Sequence, residues 1–131
     1  MRITGLYAAI AALLIIGLAI RVVMMRFSAK IGIGDGGNHD MTRRVRAHAN
    51  AVETLPIALL LLLLVELNQT QPMVVHGFGI ALIVGRLLHA WGLSHHAGTS
   101  PGRLIGMVLT LLSMLGMALL LIWQFVLAAT I

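Results

Sequence analysis

Three polar residues, Arg46, Asn50 and Glu53, stand at i, i+4 and i+7 within RRVRAHANAVE, directly ahead of the almost unbroken apolar run TLPIALLLLLLVEL. At about 100° per residue of α-helix they fall within roughly 60° of one another, on one face. Charged groups carried into the mouth of an apolar helix are costly, and persist mainly where they pair with one another or hold a polar ligand. An asparagine between two ion-pairing positions adds amide hydrogen bonding that anchoring to lipid headgroups does not require. That face therefore reads as one wall of a site for a polar or anionic ligand. The alternative is that Arg46 reaches a headgroup phosphate and Glu53 neutralises an arginine.

Other stretches hold side chains of the same kind. Arg21 is followed by Val22, Val23, Met24 and Met25, more than a helical turn inside an apolar segment. Arg86 precedes His89 by three residues, which puts both on one helical face. Arg103 follows Pro101 at the start of another apolar segment, near a helix N-terminus whose dipole also favours anions. Arg21 and Arg86 suit a ligand site or headgroup contact equally. Arg26, Lys30, Arg43 and Arg44 are expected to reach lipid headgroups.

Several chemistries are excluded or disfavoured. The chain has no cysteine, so it offers no disulfide, thiolate metal site or cysteine nucleophile, and any thiol must arrive with a substrate. His95 and His96 are adjacent and do not converge on one ion with His89 in a helix, so no metal site is expected. No Ser-His-Asp set, phosphate-binding glycine loop or carboxylate pair for hydrolysis can be assembled.

The elements that must position these residues are membrane helices. Across 131 residues, 60% are hydrophobic and 10% charged, against about 25% charged in soluble domains. Mean hydropathy is +1.01. Net charge is +5, but no basic surface interleaved with aromatics accompanies it, so no nucleic-acid partner is expected. Membrane lipids and an anionic small ligand are the expected partners. The apolar stretch after Arg2 is longer than a signal-peptide core and has no small-residue cleavage signature, so it reads as a retained helix.

Four spans are expected, over about 3–27, 42–67, 73–93 and 101–129, each meeting the roughly 20 residues that cross a bilayer. The connections, rich in Gly, Asn, Asp, Ser and Thr, are short enough to force antiparallel neighbours. The fold class is thus an all-α, up-down-up-down four-helix bundle forming one domain. Eight of the nine Lys/Arg residues belong to one end of that bundle, which places the first and third connections in the cytoplasm. Antiparallel packing would gather Arg21, Arg46, Asn50, Glu53, Arg86, His89 and Arg103 at one depth. Pro56 should kink the second span beside the cluster. Gly102, Gly106, Thr110 and Ser113 form a small-residue stripe suited to close helix packing.

RRVRAHANAVETLPIALL, with GRLLHAWGL on the third span and SPGRL opening the fourth, resembles the MAPEG family, membrane-associated proteins in eicosanoid and glutathione metabolism. The likeness covers essentially the whole chain, which looks like a short bacterial member. It implies a homotrimer with glutathione as co-substrate at each subunit interface, near the cytoplasmic side. Arg46, Asn50 and Glu53 match the family's glutathione-binding positions on the second helix, and His48 matches another residue of that motif. Arg86 and His89 match the third-helix pair, and Arg21 matches an arginine contributed by the neighbouring subunit. Arg103 matches the fourth-helix arginine credited with stabilising the thiolate, and is the expected catalytic residue.

The implied function is a glutathione-dependent transferase or peroxidase acting on hydrophobic small-molecule electrophiles, in a bacterial inner membrane. The pattern departs from the family at Leu93, where several members carry tyrosine, and at Leu104, where prostaglandin E synthase has serine. Prostaglandin isomerisation is accordingly not expected. A non-catalytic lipid-binding or scaffold protein of the same fold is the alternative, since the family includes one. A small multidrug exporter would want a carboxylate in its first span, which this chain lacks.

Overall fold

The computed structural model describes residues 2–95 and 100–129. Four helices run in order: α1 (Arg2–Ala29), α2 (His39–Leu67), α3 (Pro72–His95) and α4 (Pro101–Ala129). Each is long and apolar enough to cross a membrane. At about 1.5 Å per residue, every one exceeds a hydrocarbon core of roughly 30 Å. The chain is an integral membrane four-helix bundle, as composition and span length led us to expect. The helix bounds differ from the expected spans mainly at α2, which starts three residues earlier.

That earlier start has a local cause. Asn38 is the N-cap of α2, its side-chain oxygen accepting from the amides of Asp40 (2.9 Å) and Met41 (3.1 Å). In the preceding loop, Asp35 accepts from the Gly37 amide (3.0 Å) and from the Thr42 hydroxyl (2.7 Å). These two bonds hold its carboxyl below the ordinary aspartate pKa. At the other end of α1, Lys30 takes a left-handed conformation (φ 54°), and the Ile31 amide reaches back to the Arg26 carbonyl. That closes α1 as a glycine C′ residue would. Glu66 of α2 accepts from the amides of Ile3 (3.2 Å) and Thr4 (2.8 Å), capping the start of α1 from across the bundle.

α3 and α4 form the closest pair. A side-chain carbon added at Gly85 would meet the Thr110 hydroxyl at 2.8 Å and the Gly106 carbonyl at 2.9 Å. One added at Gly106 would strike the α3 backbone at Gly85 and His89. Gly106, Thr110 and Ser113 are all buried, and Ser113 donates to the Phe78 carbonyl (3.1 Å). The small-residue stripe thus serves helix approach. α2 turns Ala47, Ala51, Leu55, Ala58, Leu62 and Val65 inward at helical spacing. Pro56 lies within α2 on its exposed side, where its ring removes one backbone donor.

Candidate functional site

The first turns of α2, the last turns of α3 and the first turn of α4 meet at one end of the bundle. Between them is a cavity of about 210 Å³ lined by Thr42, Arg43, Arg46 and Asn50 of α2, His89 and Leu93 of α3, and Arg103 and Met107 of α4. A second hollow of about 240 Å³ adjoins it, sharing His89, Arg103 and Met107 and adding Ser100 and Leu104. Arg103 is delivered by a tight N-terminus: Ser100 precedes α4, its hydroxyl accepts from the Arg103 amide (3.3 Å), and Pro101 follows at the first helical position. Gly92 of α3 lies against that turn, where an added carbon would meet the Arg103 amide nitrogen at 2.5 Å.

The charge in this cavity is one-sided. Its wall carries three guanidiniums and an imidazole but no carboxylate. Arg43 is paired with Asp40 outside the wall. Among the described residues, the side chains of Arg46 and Arg103 make no hydrogen bond or ion pair within the chain. Two uncommitted cations facing one cavity at the mouth of a membrane bundle have the charge and donor groups to accept an anion.

Arg46, Asn50, His89 and Arg103 are therefore brought together. Glu53 lies one turn beyond Asn50, exposed, outside the cavity wall and without a partner among the described residues. By helical angle Glu53 is rotated about 150° from the inward stripe of α2 and looks out of the chain's own core, whereas Asn50, at about 90°, reaches the buried Arg86. Arg21 is set apart: its Nη1 donates to Ser94 Oγ (2.9 Å), and it lines an outer groove with Leu18, Leu87 and Trp91. Leu87 and His89 are about 200° apart around α3, so that groove and the cavity lie on opposite faces.

Arg86 is also outside the cavity wall. It is only 2% exposed. Its Nη1 donates to Asn50 Oδ1 (2.7 Å) and its Nε to Thr110 Oγ1 (3.0 Å), while Nη2 is buried without a partner among the described residues. Thr110 in turn donates to the Gly106 carbonyl (2.8 Å). Ser94 and Thr110 hold two of the candidate arginines, and nothing in the sequence marks either for the site. Thr110 is visible there only as a member of the small-residue stripe. His96 of the His95–His96 pair lies outside the described residues.

Fold and site together define a membrane-embedded helical bundle with a cation-lined cavity at one end. The chain belongs to the MAPEG family, whose model matches residues 4–123. It is 37% identical to the "Inner membrane protein YecN" of Escherichia coli strain K12 over 121 residues, 92% of this chain and 91% of that protein. The protein of the same name from Escherichia coli O6:H1 matches to the same extent.

Proposed function

We propose that the protein is a glutathione-dependent transferase or peroxidase acting on hydrophobic electrophiles dissolved in the bilayer. The observation that carries this reading is the carboxylate-free cavity wall with Arg46 and Arg103 uncommitted. Glutathione has two carboxylates and one ammonium. Arg46, Arg103 and the Asn50 amide suit the carboxylates, and unpaired Glu53 on the adjoining turn suits the ammonium.

A homotrimer is part of the proposal. The cavity of about 210 Å³ is smaller than the roughly 300–1,000 Å³ typical of small-molecule sites. Glu53 and Arg21 both look away from the chain's own cavity. A neighbouring copy would close the site and bring an Arg21 to it. The lopsided Lys/Arg distribution supports a cytoplasmic location for the first and third connections, and the name of the relative supports a bacterial inner membrane.

When bound, glutathione supplies the nucleophilic sulfur. A free thiol has a pKa near ~8.5 and is mostly protonated at neutral pH. Arg103, permanently charged and at a helix N-terminus, favours negative charge on that sulfur. Arg46 and Asn50 orient the peptide, so that sulfur and electrophile meet in one geometry. The apolar residues Leu93, Leu104 and Met107 give the electrophile a water-poor approach.

The test is turnover. Purified protein with glutathione is offered an aryl halide and a lipid hydroperoxide, beside Arg103→Ala. Rates above the uncatalysed background that Arg103→Ala lowers by about 10²-fold or more are expected. One observation favours a second reading, a non-catalytic lipid-binding protein of the same fold: Leu93 puts an alkyl group in the cavity wall where several family members present a phenol. Glutathione binding without turnover of either electrophile would select that reading.

A further inference from the structure

We propose that Arg86 is a positioning residue for Asn50: it fixes the Asn50 amide with its oxygen inward and its NH2 toward the cavity, so that Asn50 adds a donor beside Arg46 and Arg103 and favours an anionic group. A guanidinium has five N–H donors and no acceptor, so the Asn50 atom facing Arg86 at 2.7 Å must be the amide oxygen. The NH2 is left for the other side. Asn50 lines the cavity, and its NH2 makes no hydrogen bond within the described chain.

Arg86 is itself held rigidly. Thr110 donates its hydroxyl proton to the Gly106 carbonyl and can therefore only accept from Arg86 Nε. Two bonds to two different helices, through Nε to Thr110 and Nη1 to Asn50, fix the guanidinium plane. A chain Gly106–Thr110–Arg86–Asn50 thus runs from α4 through α3 to α2 and sets the polarity of one amide. Without it, the amide could rotate by 180° and present its oxygen to the cavity at little cost. Arg86 touches the cavity only through Asn50, which separates it from Arg46 and Arg103.

The inference rests on the anion-binding reading for its consequence but not for its geometry, and the experiment has an arm for each. In ligand-free protein labelled with 15N-asparagine, the side-chain amide pair lost in Asn50→Ala is assigned to Asn50. Arg86→Lys is expected to shift and broaden that pair, because a lysine ammonium no longer holds it in a fixed fork. An unchanged pair in folded Arg86→Lys would overturn the proposal whether or not glutathione binds.

The second arm uses Asn50→Asp, which gives Arg86 a carboxylate partner and should fold at least as well as the unmodified protein. It replaces the cavity-facing donor with an acceptor, so glutathione affinity should fall on the order of tenfold or more. Affinity equal to the unmodified protein's would overturn the proposal. In a double-mutant cycle, Arg86→Lys is expected to add nothing to the loss in Asn50→Ala. Losses that multiply would show Arg86 touching the ligand directly, and would overturn it too. Should Arg86→Lys fail to fold, Asn50→Asp decides alone.

Discussion

Arg86 donates to Asn50 across 2.7 Å between α3 and α2, yet only Asn50 reaches the cavity wall. Arg86 is buried to 2% exposure and orders the interior, while Asn50 lines the cavity. The same division separates the arginines that hold the bundle from those left free.

Arg46 and Arg103 belong to the free group, so removing either should cost little stability. Arg46→Ala and Arg103→Ala are expected to melt within about 0.5 kcal/mol of the unmodified protein in detergent. Each should lose glutathione affinity by about tenfold or more. Parallel thermal melts and calorimetric titrations check this, and a large loss of stability in either would place these residues among the structural arginines.

Gly106 tests the α3–α4 contact. Gly106→Ala drives a methyl into the α3 backbone and should destabilise by about 1–3 kcal/mol or more. Gly77 in α3 has open space around its added carbon, so Gly77→Ala should be neutral or stabilising by up to about 1 kcal/mol. The pair of melts separates a packing glycine from an incidental one.

Asp35 gives the first connection a pH dependence. Its carboxyl is held below the ordinary range by the Gly37 amide and the Thr42 hydroxyl. A depressed folded pKa means the contribution is present above the unfolded value and is lost as pH falls through the folded one. Hydrogen exchange at Gly37 should therefore be slow near neutrality and, after correction for intrinsic rates, lose protection only as pH falls below the ordinary aspartate pKa. Asp35→Asn should abolish that dependence, since its amide does not titrate there.

Glu66 ties the start of α1 to the end of α2. Glu66→Gln keeps the shape but weakens two charge-assisted bonds to the Ile3 and Thr4 amides, at a cost of roughly 1–2 kcal/mol. Faster amide exchange confined to the first turn of α1 is the expected signature.

Much of the fold is legible in the sequence because crossing a bilayer leaves a coarse mark. A span of 20 or more apolar residues survives errors of two or three positions, and α2 departs from its expected bounds only at the polar turn capped by Asn38. Arg46, Asn50 and Glu53 can be grouped because helical angle alone fixes which residues share a face. Which face meets which neighbour is a matter of helix rotation, and this is where sequence fails. Arg86 and His89 share a face of α3, yet His89 lines the cavity while Arg86 is enclosed by Asn50 and Thr110. Arg21 is at a suitable depth but bonds Ser94 on the opposite side of α3. The Arg86–Thr110 contact depends on how closely Gly85 and Gly106 let α3 and α4 approach, and the Arg21–Ser94 contact on how α1 is turned against α3.

The most direct measurement is a calorimetric titration of the purified, folded protein with glutathione, beside Arg103→Ala. Saturable binding that weakens by about tenfold or more in Arg103→Ala is the expected result. No binding to the unmodified protein, or equal binding to both, would contradict the assignment of this cavity to glutathione.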